Sequence, residues 1–284
     1  MSKLLLLGAT GLAGQAFCEA TKQRGFTICT VARRSADVLC DITEPNALEE
    51  LLTKEAPDVL VNAAGMVNLA ACEVDPGLAW LINARPAGIL AKWSQKTGRP
   101  FIQISTDHFF SGDVNRAHNE EAAVTLINEY ARGKYAGEAL ALTAPQALVL
   151  RTSIVGIRGW DEPSFAEWAI AAVNENRDMT LFADTWTSSI DTSTFAHAAL
   201  ELMFDKNVRG LLNLAAGEVY SKEAFIREIS KQMGKQLTRA QSGSIHVNLP
   251  GRAESLGLDV TRAETRLGRK LPGIREVVAS ILQE

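Results

Sequence analysis

The chain has 284 residues, of which 46% are apolar and 22% are charged. This length suffices for one large domain or two smaller ones, and the composition is that of a folded chain. Because 29 Lys and Arg stand against 33 Asp and Glu, for a net charge of −4, we expect no nucleic-acid partner and no anionic membrane partner. The four Cys show no C-x-x-C spacing, which predicts no metal site and is typical of a reduced, cytoplasmic protein.

The first apolar run, Leu4–Leu7, ends at Gly8. It is shorter than the roughly 7–15 apolar residues of a signal peptide, and no stretch reaches the roughly 20 apolar residues of a membrane span. The run therefore predicts a buried first strand.

Short apolar runs then alternate with longer segments of helical periodicity up to Leu150. The predicted strands are Leu4–Leu7, Phe26–Val31, Val59–Val61, Phe101–Ile104 and Ala147–Leu150. The predicted helices between them are Leu12–Arg24, Glu44–Lys54, Pro76–Lys96 and Tyr130–Leu142. Such alternation predicts βαβ units, and therefore an α/β fold with a doubly wound parallel sheet.

The alternation loosens after Arg151. The elements predicted there are the helices Phe165–Asn174, Phe195–Met203, Lys222–Met233 and Ile274–Leu282 and a strand at Leu211–Leu214, while Arg239–Glu254 shows no clear period. We expect a parallel-sheet domain over residues 1–153 and a smaller C-terminal α/β lobe over residues 154–284. Residues 182–215 are expected to pack back onto the first domain.

A glycine-rich loop joins the first predicted strand to the first predicted helix. Its sequence, Gly8-Ala9-Thr10-Gly11-Leu12-Ala13-Gly14, has G-x-x-G-x-x-G spacing. Gly8 and Gly11 leave room for the backbone to approach a pyrophosphate, and Gly14 lets the helix pack closely on the sheet. A plain glycine turn is the alternative. The position at the first strand–helix junction favours a Rossmann-type nucleotide site that includes Gly8, Thr10, Gly11, Leu12 and Gly14.

The end of the second predicted strand indicates which dinucleotide binds. An NAD site usually places an acidic residue here, whereas this chain has Arg33-Arg34. A guanidinium binds phosphate oxygens in pairs, so both arginines favour the 2′-phosphate of NADPH, with NADH as the alternative cofactor. A solvated pair of surface charges is the simpler explanation. Asp41-Ile42 is predicted to lie beside the adenine.

Tyr130 and Lys134 are four residues apart, so they share one face of a helix. The spacing alone proves little, but the pair lies between the fourth and fifth predicted strands of a dinucleotide fold. A neighbouring ammonium lowers the pKa of a phenol, which makes Tyr130 a candidate proton donor. Thr106 follows the fourth strand, where ligands of parallel sheets bind, and is a candidate hydrogen-bond donor to a carbonyl oxygen. A turn or helix cap is the alternative role of Thr106.

These motifs together resemble the extended short-chain dehydrogenases/reductases, and most of all the dTDP-4-dehydrorhamnose reductase family of RmlD-like sugar-nucleotide reductases. The resemblance covers essentially the whole chain, through the Gly8–Gly14 loop, Pro57–Ala64, Asn83, Ser105–Asp107, Asn128–Glu138, Arg151–Ser153, Leu258-Asp259, Leu267-Gly268 and Leu271-Pro272. It implies that Tyr130 is the proton donor, that Thr106 binds the substrate carbonyl, and that Lys134 binds the cofactor ribose. The further residues that it implies at the cofactor are Asn62, Ala63, Ala64, Asn83 and Ser153.

The activity implied by the resemblance is NADPH-dependent reduction of a nucleotide-linked 4-keto-6-deoxy sugar. Hydride goes to the carbonyl carbon while a tyrosine supplies the proton. The resemblance assigns cofactor binding to the first domain and substrate binding to the C-terminal lobe. Family habit also suggests a homodimer.

Four departures from the family pattern fall where the sugar or its nucleotide would be held. His108-Phe109 replaces an aromatic pair, and Ile154 replaces a tryptophan. The D-Q-x-G-x-P-T segment of the family reads Asp184–Ile190 here, and its Arg-Pro reads Arg252-Ala253. The resemblance therefore supports the reaction class more strongly than the particular substrate.

The candidate substrate contacts are Asp107, His108, Trp186 and Arg252. His108 could relay a proton or contact a hydroxyl, although a lone histidine in a loop is more often a plain polar contact. Trp186 lines the sugar pocket unless it only packs within the lobe, and Arg252 is a candidate contact of the diphosphate. The other histidines show no metal-ligand grouping, so no metal is predicted.

Two other functions fit parts of the sequence. Sugar-nucleotide dehydratases of the same superfamily have the motif S-T-D-E at the fourth strand. In this chain His108 follows Asp107, which argues against an epimerase or dehydratase. A non-catalytic, NADP-binding regulatory subunit similar to that of methionine adenosyltransferase is the second alternative. The presence of Thr106, Tyr130 and Lys134 together favours catalysis.

Overall fold

The structure, a computed structural model, describes residues 2–248 and 252–284. Its strands are β1 (Lys3–Leu7), β2 (Thr27–Ala32), β3 (Val38–Leu39), β4 (Val59–Asn62), β5 (Phe101–Ile104), β6 (Ala147–Arg151), β7 (Ile154–Val155), β8 (Met179–Phe182), β9 (Trp186–Thr187), β10 (Ile190–Asp191), β11 (Gly210–Asn213), β12 (Tyr220–Ser221), β13 (Ala240–Gly243) and β14 (Ser255–Leu256). Its helices are α1 (Leu12–Gln23), α2 (Ala47–Glu55), α3 (Leu69–Val74), α4 (Pro76–Asn83), α5 (Arg85–Thr97), α6 (Glu129–Ala141), α7 (Phe165–Asn174), α8 (Thr192–Phe204), α9 (Lys222–Gln232), α10 (Ile245–Asn248), α11 (Thr261–Leu267) and α12 (Ile274–Ile281). Within the described residues, no helix is long and apolar enough to cross a membrane.

Seven strands form one large sheet in the order β11-β6-β5-β4-β1-β2-β3. Strand β1 pairs in parallel with β2 on one side and with β4 on the other, and β5 pairs in parallel with β4 and β6. Successive strands run outward from β1 in both directions, which is the arrangement of a doubly wound sheet. The predicted fold class is therefore confirmed.

The central strands are buried because their side chains are apolar almost without interruption. Leu4, Leu5, Leu6 and Leu7 are 0% exposed, and every residue of β4, β5 and β6 is buried. One core cluster joins these strands to α2, α5 and the end of α6. Full burial of a leucine contributes about 1.5–3 kcal/mol, so the leucines of β1 are a major source of stability.

The predicted strand Phe101–Ile104 and the predicted helix Phe165–Asn174 have their expected bounds. The prediction of one helix over Pro76–Lys96 is wrong, because α4 ends at Asn83 and α5 begins at Arg85. Pro86 lies in the first turn of α5. A proline has no N–H and clashes with the preceding turn, so it starts a helix more readily than it continues one.

The chain divides into two compact units. Unit 1 comprises Met1–Thr106, Asn128–Arg151 and Ala196–Leu212, and the large sheet belongs to it. Unit 2 comprises Asp107–Ile127, Thr152–Phe195 and Asn213–Glu284, with the small sheets β10-β7, β12-β9-β14 and β13-β8. The sequence prediction differs in assigning residues 107–127 to the first domain, because a division along the chain does not reveal an excursion between β5 and α6.

Helix α6 approaches α4 closely through glycines on its contact face. A Cβ atom at Gly137 would lie 2.5 Å from the main-chain oxygen of Asn83, and one at Gly133 would lie 3.3 Å from the Asn83 Cβ. Interiors are packed too tightly to absorb the first of these contacts without movement. Gly137 therefore sets the spacing between the two helices.

Replacing Gly137 with Ala should lower the free energy of unfolding by about 1–3 kcal/mol, since the added methyl group overpacks the contact with Asn83. Gly88→Ala in α5 is the matched control, because a Cβ atom there would lie at an ordinary 3.6 Å from the Leu140 side chain of α6. That control should be stabilised by about 0.5–1 kcal/mol through helix propensity. Equal stability changes for the two variants in urea unfolding would contradict this account.

Candidate active site

The glycine loop forms a cradle at the carboxyl end of β1. Gly8 has φ of 77°, its N–H donates to Val31 O at 2.9 Å, and the Gly11 N–H donates to Gly8 O at 3.0 Å. A Cβ atom at Gly8 would lie 2.6 Å from Ala64 N, and one at Gly14 would collide with Gly8 O. Only glycine therefore fits at both positions.

Helix α1 presents its N-terminus at this cradle without a competing anion. Its N-cap is Gly11, which has no side chain to cap the helix, and the first turn carries no acidic residue. The free N–H groups and the helix dipole make such an end attractive to phosphate. The pyrophosphate of a dinucleotide fits this loop, which would hold it through main-chain N–H groups.

The residues predicted near the adenosine lie after β2 and around β3. Arg33 and Arg34 are both exposed, which leaves their guanidinium groups accessible to a ligand phosphate. The hydrogen bonds from Thr43 hold the pKa of the Asp41 carboxyl below its usual range, with the charge of Arg33 adding to the effect. Arg85, which the sequence reading missed, donates to Ile42 O at 2.5 Å and so anchors this segment.

The carboxyl end of β4 carries the next predicted cofactor residues. The Asn62 amide donates to Gln103 Oε1 at 2.8 Å, and its Oδ1 accepts from Ala64 N at 3.2 Å. These bonds fix the turn that contains Ala63 and that packs against Gly8. Asn83 accepts from Met66 N at 2.9 Å and donates to Met66 O at 3.0 Å, so its amide holds the neighbouring main chain in place.

Helix α6 brings the predicted Tyr130 and Lys134 to one face. Asn128 caps the helix by accepting from Ala131 N at 2.8 Å. Tyr130 is buried and packs with Cys72 and Ala79.

The ammonium of Lys134 lies under the end of β5. It donates to Ile104 O at 2.6 Å, two residues before the buried Thr106. Burial lowers the pKa of Lys134 to about 8, against an opposing effect of the Glu138 carboxylate.

A buried ion pair that the sequence reading missed anchors the same helix. Glu138 and Arg151 are 2% and 3% exposed. The guanidinium donates to both carboxylate oxygens, with Nε at 2.9 Å from Oε1 and Nη2 at 2.8 Å from Oε2. The Ser105 hydroxyl donates to Glu138 Oε1 at 2.6 Å. The pair therefore ties α6 to the ends of both β5 and β6.

Unit 2 contains a small pocket with a cavity volume of about 140 Å³. Its lining combines hydroxyl groups, apolar side chains and two basic residues, and comprises His108, Ser153, Ile154, Val155, Phe165, Thr187, Ser189, Tyr220, Lys222, Phe225 and Leu256. Hydroxyl groups form a chain in it, with Ser153 Oγ 2.7 Å from Ser189 Oγ, which is 2.8 Å from Thr187 Oγ1. A pocket of this chemistry suits a polar ring with one apolar face.

The four predicted substrate residues lie in unit 2. His108 lines the pocket, and Trp186 is partly buried next to the pocket residue Thr187. Asp107 is buried, and Arg252 is exposed. Burial and the positive charges of Lys222 and Arg252 lower the pKa of His108 to about 4, so this imidazole is neutral near pH 7.

The sequence reading also missed Lys222 as a pocket residue, because it stands at the start of a predicted helix. One signal was available. A cation at the first position of a helix opposes the helix dipole, so a lysine there has a cost to stability and marks the position for closer study. Among the described residues, no cluster of three or more His, Cys, Asp or Glu could hold a metal ion.

The doubly wound sheet, the glycine cradle and the Tyr130–Lys134 helix define an extended short-chain dehydrogenase/reductase, a class of NAD(P)-dependent oxidoreductases. The sequence profile of the RmlD substrate binding domain matches residues 2–284. The chain belongs to this family.

Named relatives and a solved structure agree with that membership. The probable low-salt glycan biosynthesis reductase Agl14 of Haloferax volcanii is 28% identical, over 96% of this chain and 95% of its own. The dTDP-4-dehydrorhamnose reductase of Mycobacterium tuberculosis is 30% identical, over 82% of this chain and 77% of its own. The dTDP-4-dehydrorhamnose reductase of Bacillus anthracis, solved in complex with NADP, shares the fold with a TM-score of 0.87 and 21% identity, over 99% of both chains.

Replacing Glu138 with Ala should lower the free energy of unfolding by about 3–5 kcal/mol, because it leaves the buried Arg151 guanidinium without its carboxylate. Glu175→Ala is the control, since Glu175 pairs with Arg177 where both side chains are about half exposed. Loss of that surface pair should change stability far less than loss of the buried pair. Similar losses for both variants in urea unfolding would show that the buried pair is not an anchor.

Proposed function

We propose that the protein is an NADPH-dependent reductase of a nucleotide-linked 4-keto-6-deoxy sugar. The observation that carries the proposal is the placement of Lys134, whose ammonium is bound at the end of β5 and shares a helical face with Tyr130. The names of the relatives support a sugar-nucleotide substrate. The chemistry of the unit 2 pocket is compatible with the sugar ring of such a substrate.

When bound, the nicotinamide cofactor supplies the hydride that reduces the carbonyl carbon. Tyr130 delivers a proton to the carbonyl oxygen, and Thr106 donates a hydrogen bond to that oxygen and so polarises the carbonyl. The positive charge of Lys134 stabilises the phenolate that remains on Tyr130 after proton transfer. Glu138 favours the charged form of Lys134 and thereby maintains this effect.

The preference for NADPH is proposed from Arg33 and Arg34. Both side chains are exposed at the end of β2, the position that an acidic residue occupies in NAD sites. The solved relative that holds NADP supports this choice. Asp41, Ile42, Asn62, Ala63, Ala64 and Asn83 are proposed to complete the part of the cofactor site that lies in unit 1.

Tyr130→Phe should lower the turnover rate by about 10²–10⁴, the range expected for loss of a general acid. The measurement is oxidation of NADPH in the presence of a dTDP-linked 4-keto-6-deoxy sugar, with identification of the reduced sugar. Tyr135→Phe on the same helix is the control and should keep the full rate, since Tyr135 is 38% exposed.

The same assay separates the competing functions. Conversion of the sugar without net oxidation of NADPH would indicate an epimerase or dehydratase. Binding of NADPH without any turnover of the 4-keto sugar would favour the regulatory subunit. An unchanged rate in Tyr130→Phe would remove this residue from the mechanism.

Arg33→Ala should weaken the binding of NADPH by about ten- to a hundredfold while changing NADH affinity little, since only NADPH carries the 2′-phosphate. The measurement is titration calorimetry with both cofactors. Arg177→Ala, which removes an exposed arginine from unit 2, controls for general charge effects. Equal weakening of both cofactors by Arg33→Ala would show that this arginine does not read the 2′-phosphate.

A further inference from the structure

Lys222 is a cation in the unit 2 pocket for which the described part of the chain provides no partner of opposite charge at bonding distance. It is partly buried at the first position of α9, and its ammonium lies 5.2 Å from the centroid of the Phe165 ring. Among residues 2–248 and 252–284, no hydrogen-bond acceptor or carboxylate pairs with this ammonium. A charge in such surroundings is unfavourable until an anion joins it.

The neighbouring charges are more positive than negative. Lys222 feels the positive charge of Arg252 and the negative charge of Asp107, and together with burial the result is a lowered pKa of its ammonium. His108 adds no charge near neutral pH, because its pKa is about 4. One positive charge of this group is therefore left without a counter-charge from the described residues.

The acidic residue closest in sequence is committed elsewhere. Glu223, the next residue in α9, accepts from Arg227 at 2.7 Å and from the Ser242 hydroxyl at 2.9 Å. Ser221 caps the helix by accepting from Ala224 N at 3.0 Å. The N-terminus of this 11-residue helix adds its own positive dipole to the charge of Lys222.

From the position of Lys222 in the unit 2 pocket we propose that its ammonium forms an oxyanion-binding subsite that holds a negatively charged group of the substrate. The proposal rests on the nucleotide-sugar reductase function and adds Lys222 to its binding residues. Nucleotide-linked sugars offer two groups of this chemistry, namely the diphosphate and, in sugar acids that carry it in place of the methyl group of a 6-deoxy sugar, a carboxylate at C6. The diphosphate is favoured because every nucleotide-linked sugar carries it.

The test compares ligands that differ by one anionic group, measured by titration calorimetry on the NADP-saturated protein. Thymidine and dTDP differ by the diphosphate, and UDP-glucose and UDP-glucuronate differ by the ring carboxylate. Lys222→Met removes the charge at similar volume, Lys222→Arg keeps the charge, and Lys231→Met removes an exposed lysine from the same helix. The fold of each variant is checked by thermal unfolding.

If the diphosphate is bound, Lys222→Met should weaken dTDP about ten- to a hundredfold, while Lys222→Arg and Lys231→Met stay within about threefold of the wild type. If the carboxylate is bound, Lys222→Met should instead remove a preference of the wild type for UDP-glucuronate over UDP-glucose and leave dTDP unchanged. Either result supports the oxyanion subsite, and the second would also show that the substrate is a sugar acid rather than a 6-deoxy sugar.

Three results would overturn the proposal. These are unchanged affinities in Lys222→Met, an equal loss in Lys231→Met, or a failure of the wild type to bind any of the charged ligands. Because binding is measured without turnover, an inactive reductase that still binds dTDP through Lys222 would contradict only the proposed function.

Discussion

The position of helix α6 is the constraint on which the candidate active site of unit 1 depends. Lys134 donates to Ile104 O at 2.6 Å, and Glu138 accepts from Ser105 Oγ at 2.6 Å and from Arg151 at 2.8 Å. These two side chains are one helical turn apart, and Tyr130 precedes them by another turn on the same face. A rotation or slide of α6 would break all of these bonds, so Tyr130 takes its position from contacts made by its neighbours.

The chemical nature of these contacts matters as much as their number. Replacing a buried ion pair by apolar side chains of similar volume is often neutral or stabilising, so stability alone does not explain Glu138 and Arg151. Hydrogen bonds are directional, however, whereas apolar contacts tolerate small displacements. A bidentate pair shared with Ser105 holds the helix to one register, and its carboxylate also favours the charged form of Lys134. Glu138 therefore both fixes the position of α6 and favours the charge of Lys134.

Much of the fold was predictable because it depends on local patterns. The apolar run Leu4–Leu7, the glycine spacing after it and the alternation of strands with helices all follow from the sequence neighbourhood. The predicted strand Phe101–Ile104 has its expected bounds for this reason. The break between α4 and α5 was also visible in principle, since Pro86 stands near it. By contrast, two-residue strands such as β3 are too short to show a period.

The missed site residues are long-range features. Glu138 and Arg151 are 13 positions apart, and each has the appearance of a surface charge until the sheet brings them together in the interior. Lys222 is predicted as the start of a helix, which it is, but only the folded structure shows that its side chain lines a pocket. Sequence patterns identify residues whose side chains can bind or react, but they do not show which charged side chains become buried in the folded protein.

The N-termini of α1 and α9 both attract anions in this acidic protein, but the positive charge has a different source at each. At α1 the attraction comes from main-chain N–H groups exposed by Gly11, which do not titrate. At α9 it comes from the ammonium of Lys222, whose pKa is lowered by burial and by Arg252. An anion bound beside Lys222 raises that pKa again, so at a pH between the two values binding is accompanied by proton uptake. Anion binding at α1 has no such coupling, because a backbone site keeps the same charge distribution at every pH.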